Sequence, residues 1–223
     1  MMLANIIVKV FEDGGPIMYP IAIVCVVAVA VVGERTLWWM REKLKRDPKR
    51  LEKIFAALEN GDFLSAVQLS ENSEDPIIRT VHHGLNHQHS SLQGALQVSA
   101  GVELQKAGRF LGVMDTLVTL APLLGLLGTV TGIMESFKFV GQSNLGVDKV
   151  SGGIGEALIA TAFGLGIAIF TLVPFNYFTG KVARLQFELE TAANNVEVMV
   201  TAAKNRGFET EIIRRDRSRT PAA

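Results

Sequence analysis

The residue with the most chemistry to offer in this 223-residue chain is Glu156. It closes the string Ser151-Gly152-Gly153-Ile154-Gly155-Glu156 and heads a run, Ala157 to Gly180, of 24 residues without an ionised side chain. Two placements suit such a carboxylate. If the helix starts only after Gly155, Glu156 lies at a membrane interface beside a helix N-terminus, where the dipole favours it. If the span starts near Val150, the first uncharged residue after Asp148 and Lys149, Glu156 is almost two turns inside. A carboxylate at that depth costs on the order of 3 kcal/mol and is expected to be functional and to face a lumen. Thr161 follows five residues on, and Ala160, Gly164 and Ala168 recur at four-residue spacing. In an earlier apolar run Pro122, Gly125, Thr129 and Gly132 are spaced three, four and three, beside a stripe of Ala121, Gly125, Gly128 and Gly132. Small residues let helix backbones approach closely, and Gly128-x-x-x-Gly132 is the local form of that pattern. The two hydroxyls can both donate and accept, so with one acid at a similar depth they can pass protons.

Other reactive groups offer less. All four histidines, His82, His83, His87 and His89, fall together, and His83 and His87 have the i, i+4 spacing that can bind zinc on a helix face. No cysteine joins them and no helical glutamate makes a HExxH pattern, so no metal site is expected. No phosphate loop or nucleophile and base pair is present, so no enzymatic activity and no cofactor is expected. Cys25 is the sole cysteine, which excludes an intramolecular disulfide. Lys plus Arg and Asp plus Glu both number 22, which leaves no basic excess to hold nucleic acid. Asp115 precedes Thr129 by fourteen residues, ~21 Å of helix, and is expected at an interface.

The elements that must carry Glu156 and the threonines follow from hydropathy. The chain is 48% hydrophobic with mean hydropathy +0.29, and three stretches, Gly14 to Gly33, Thr116 to Met134 and Ala157 to Gly180, hold no ionised residue. Each supplies the ~20 helical residues that cross a ~30 Å hydrocarbon core. None alternates with period two, so the fold class is an all-α membrane protein with three transmembrane helices. The basic n-region of a cleaved signal is missing before the first run, which reads as a retained anchor. Lys and Arg concentrate in 35 to 53, 95 to 110 and 181 to 200, so the N-terminus is expected outside and residues 34 to 110 and the C-terminus in the cytoplasm.

The expected boundaries are a periplasmic segment 1–16, spans at 17–33, 111–140 and 150–180, a cytoplasmic helical domain 34–110, a periplasmic turn 141–149, a cytoplasmic helix 181–206 and a basic tail 207–223. Within the cytoplasmic domain Asp47-Pro48, Asp62 and Asp75-Pro76 start helices, and Asn60-Gly61 ends one. From Ser91 no proline occurs until Pro122, which predicts one helix running into the second span. Val182, Leu185, Leu189, Ala192, Val196, Met199 and Ala203 form a seam of the coiled-coil type for a packed bundle. The tail with Arg214, Arg215, Arg217 and Arg219 is expected to be disordered, with weak contact to anionic lipid as its alternative.

The string Ala121-Pro122-Leu123-Leu124-Gly125-Leu126-Leu127-Gly128-Thr129-Val130-Thr131-Gly132-Ile133-Met134 resembles the MotA/TolQ/ExbB proton-channel family. So does Gly155-Glu156-Ala157-Leu158-Ile159-Ala160-Thr161-Ala162-Phe163-Gly164-Leu165, and both look closest to the ExbB and TolQ branch. The resemblance implies an immersed Glu156 that lines an inner pore with Thr129 and Thr161. It further implies a homopentameric ring in the bacterial inner membrane around a single-span partner of the ExbD or TolR type, which supplies a membrane aspartate. A TonB- or TolA-like protein would be the further partner, and the proton the coupling ion. Where the family has tryptophan this chain has Thr131, a change expected to affect packing. Pro122, Gly125, Gly128, Gly132, Ala160 and Gly164 are expected to pack helices, with Ala160 and Gly164 facing the partner. A structural scaffold without ion conduction is the alternative.

Overall fold

The computed structural model describes residues 14–138 and 146–206. The expected N-terminal segment before Gly14, residues 139–145 around the periplasmic turn, and the basic tail lie outside the described residues, as does the side chain of His89. Among the described residues there are seven helices and no strand: α1 (Met18–Leu44), α2 (Pro48–Glu59), α3 (Phe63–Ser70), α4 (Pro76–Asn86), α5 (Gln88–Ala107), α6 (Leu111–Phe137) and α7 (Gly146–Asn205). Three helical stretches are long and apolar enough to cross a membrane. The chain divides into two units, one of residues 1–37 and 110–179, the other of 38–109 and 180–223.

In the first unit α1, α6 and the first part of α7 meet along narrow faces. Met18, Ile21, Val24 and Ala28 are buried on α1, Leu117 and Ala121 on α6, and Ala160, Ile167 and Ala168 on α7. Large apolar side chains on the remaining faces, among them Ile23, Val26, Leu123, Leu126, Leu158 and Val173, are exposed. In water such a surface would aggregate, whereas in a bilayer it is the solvated surface. Arg35 is the exception: it is 1% exposed, forks onto Glu34 at 2.5 and 2.8 Å, and lies 5.6 Å from the centre of the Phe110 ring.

A single helix from Ser91 into the second span is not what the chain forms. Gly108 caps α5, its N–H bonding to the Leu104 carbonyl at 2.8 Å, and Phe110 takes a left-handed φ of 66° before α6 begins. Lack of proline therefore does not keep the helix going, since the left-handed Phe110 turns the chain between α5 and α6. Ser91 is itself non-helical (φ −169°, ψ 101°), and its hydroxyl accepts the Gly94 N–H at 3.1 Å as an N-cap does.

The second unit is built on capped helices. Asp47 accepts from the Arg50 N–H at 3.1 Å with Pro48 at the first helical position, and Asp62 accepts from the Ser65 N–H at 3.0 Å. The Ser65 hydroxyl and N–H together hold the Asp62 carboxyl below its ordinary value. Asp75, 2% exposed, accepts from Ile77 N–H of its own helix and from Asp47 N–H at the head of α2, both at 2.8 Å. The core joins Ile54, Leu58, Ile78, Val81 and Leu85 to Leu185, Leu189, Val196 and Val200 of α7. The heptad-like stripe thus closes on the chain's own helices, with Val200 as a member the spacing did not include. Buried Glu103 is paired with Arg79 at 2.6 Å and Lys106 at 3.0 Å, and Arg46 with Glu188, so these charges are compensated.

Candidate functional site

The antiparallel seam between α6 and α7 positions Glu156, Thr129 and Thr161. Its side chains are small because the backbones touch. A Cβ on Gly125 would lie 3.0 Å from the Thr161 Cα, one on Gly128 2.6 Å from the Ala160 Cβ, and one on Gly132 2.9 Å from the Gly153 carbonyl oxygen. A Cβ on Gly164 would lie 2.5 Å from the Ala121 carbonyl oxygen. Ala160 is fully buried and Gly164 is buried with it, both against α6 of the same chain. Opposite Gly125 lies the backbone of Ala160 and Thr161, and opposite Gly128 the side chains of Ala160 and Ile17. Pro122 lies inside α6 and is partly exposed.

Glu156 stands ten residues after the start of α7 at Gly146, ~15 Å along the axis. The placement in which the helix starts only after Gly155 is therefore excluded, and Glu156 does not cap α7. The carboxylate is partly exposed and, among the described residues, takes part in no ion pair. It packs against Gly15, just ahead of α1.

The threonines do not hydrogen-bond to Glu156 or to each other among the described residues. Thr161 donates across the seam to the Gly125 carbonyl at 2.8 Å, and Thr129 donates within its helix to the Leu126 carbonyl at 2.6 Å. Each hydroxyl proton is thus engaged while the oxygen can still accept. With Gly125 level with Thr161, and Gly132 level with Gly153 and Ala157, the three side chains occupy about a turn and a half of the seam. Thr131 is exposed and bonds to the carbonyls of Leu127 and Gly128. Asp115 is exposed near the start of α6.

Sequence reasoning missed two members of this region. Ser136 is buried, donates to the Gly132 carbonyl at 2.8 Å and reaches that of Val150 at 3.4 Å, which ties the ends of α6 and α7. It continues the stripe of Gly125, Gly128 and Gly132 by one more turn, a signal that was there to use. Gly15 is the second, and nothing in its local sequence pointed to an acid more than a hundred residues away.

In the second unit His82 has both ring nitrogens engaged, Nδ1 with the Ser70 hydroxyl at 2.8 Å and Nε2 with Asn86 at 2.9 Å. The His83 and His87 rings lie with centres 4.4 Å apart, tilted by 36°. No group of three or more His, Cys, Asp or Glu able to hold a metal occurs among the described residues.

Three apolar membrane helices and an acid within one of them define a multi-pass membrane protein with a candidate ion path. The chain belongs to the MotA/TolQ/ExbB proton channel family, whose model matches residues 70–191. It is 34% identical over 173 residues to a putative biopolymer transport protein ExbB-like 1 of Synechocystis, covering 74% of this chain and 67% of that one. A putative ExbB-like 3 protein of the same organism is 30% identical over 182 residues, 79% of this chain and 86% of that one. The biopolymer transport protein ExbB of Pseudomonas putida is 29% identical over 215 residues, 89% of this chain but only 61% of the relative. The matched family segment contains Glu156, Thr129 and Thr161 and the whole seam between α6 and α7.

Proposed function

We propose that this chain is the proton-conducting stator subunit of an inner-membrane motor of the ExbB–ExbD or TolQ–TolR type, with Glu156, Thr129 and Thr161 lining the ion path. The observation that carries the reading is the place of Glu156: ten residues inside α7, without a countercharge among the described residues, within the segment that matches a proton-channel family. In this reading five copies form a ring around a single-span protein whose own membrane aspartate takes up and releases the proton. The N-terminus is periplasmic and the C-terminus cytoplasmic, in keeping with the distribution of Lys and Arg. Proton entry, worth ~2.3 kcal/mol per charge per 100 mV, moves ring and axle against each other. The work is delivered to an envelope partner such as a TonB-like protein for uptake across the outer membrane.

Thr129 and Thr161 take part by releasing a backbone carbonyl and turning their protons toward the path, a rotation that costs one hydrogen bond each. Co-purified complex reconstituted in vesicles with a pH-sensitive dye tests this. Glu156→Gln should assemble normally and lose proton flux, while Glu156→Asp keeps part of it. Full flux in the Gln variant would remove Glu156 from the pathway.

A further inference from the structure

Gly15 has a φ of 66°, and its carbonyl accepts the Met18 N–H at 3.0 Å, so it forms the turn that starts α1. That conformation alone favours glycine. A second demand falls on the same residue. The space a Cβ on Gly15 would need is filled by the carboxylate of Glu156, its Oε1 foremost. Gly14 beside it is crowded by other groups: a Cβ there would meet Met18 Cγ at 2.5 Å and Ile159 Cγ2 at 3.3 Å. Neither demand is general to the helices involved. Gly33 on α1 and Gly155, the neighbour of Glu156, have no atom within 4 Å of where a Cβ would stand.

We infer that Gly15 is a positioning residue for Glu156: by lacking a side chain it lets the turn of residues 14–16 close on the carboxylate and fixes where that carboxylate lies. The inference rests on the reading of Glu156 as the acid of the ion path, and it adds α1 to a site otherwise made by α6 and α7. Displacement of the carboxylate from Gly15 and rearrangement of the turn are then a single event, because the two surfaces are in van der Waals contact.

The test uses native membranes and the co-purified complex. Gly15→Asn separates the two demands, since asparagine adopts a left-handed φ at little cost but brings a side chain into the carboxylate. Labelling of Glu156 by dicyclohexylcarbodiimide, located by mass spectrometry, should accelerate at least threefold in Gly15→Asn and Gly15→Ala, as the carboxylate is pushed into the open. It should be unchanged in Gly33→Ala. Dye-measured flux should fall at least tenfold in both Gly15 variants.

Where Gly15→Asn fails to assemble, Glu156→Ala in the same chain should restore assembly by vacating the space, and failure in both backgrounds overturns the inference. An unchanged labelling rate in Gly15→Asn overturns it too. Failure of the ion-path reading looks different: it is full flux in Glu156→Gln. Failure of the positioning role alone is a dead Glu156→Gln alongside a Gly15→Asn that labels and conducts as the unaltered protein does.

Discussion

Replacing Gly164 with alanine should loosen the seam that holds the candidate ion path. The new Cβ would stand 2.5 Å from the Ala121 carbonyl oxygen and 3.1 Å from both Cα and N of Gly125. All three are backbone atoms of α6, so no side chain can rotate out of the way. Restoring an ordinary 3.4 Å contact requires the helices to part by roughly 0.9 Å at this level. Overpacking of that kind costs ~1 to 3 kcal/mol. The Thr161 to Gly125 hydrogen bond, 2.8 Å long and one turn away, would be stretched out of range and lose about 1 kcal/mol more. Alanine returns up to ~1 kcal/mol in helix propensity. The balance is a net loss of about 1 to 3 kcal/mol, read as a fall of several degrees in the melting temperature of the purified protein in mild detergent. Gly166→Ala on the same helix meets no atom within 4 Å and serves as the internal reference, neutral or slightly stabilising. If Gly164→Ala melts with Gly166→Ala, the seam is not close-packed and the reasoning fails.

Two further substitutions probe the other unit. Asp75→Ala removes the acceptor of two backbone N–H groups that start α2 and α4, and should cost about 2 to 4 kcal/mol by thermal denaturation; an unchanged melt would mean that water replaces the carboxylate. Leu189→Asp puts a charge at a fully buried position of the bundle and should cost ~4 to 5 kcal/mol and open the unit to limited proteolysis. Phe187→Asp, at a position 69% exposed, should leave digestion unchanged, and equal sensitivity of the two would refute the inward stripe.

What the sequence displays most clearly is whatever depends on neighbours along the chain. The aspartate caps at 47, 62 and 75 and the apolar runs act over one or two turns, so their residue types reveal them. The stripe Leu185, Leu189, Val196 was legible as a buried face, but not which partner it meets: periodicity records that a face is covered and says nothing of by what. For the same reason the small residues Ala160 and Gly164 mark a close-packed face without naming α6 of the same chain as what lies against it. The break at Gly108 to Phe110 escaped because a left-handed phenylalanine has no signature in residue type. The contact of Gly15 with Glu156 is invisible for a different cause, since it is set only when α1 and α7 come together in three dimensions.

Cys25 is the only cysteine in the chain, and it is exposed, on an apolar groove with Val29, Phe163, Gly166 and Phe170. The protein therefore carries a native spectroscopic address. A thiol-reactive spin label or fluorophore applied to the unaltered chain would sit at one defined place within the bilayer-facing surface, with no background to engineer away. In an assembly of several copies the spacing among these labels would repeat with the symmetry of that assembly. Subunit number and the crowding of that groove could then be counted from a single distance distribution.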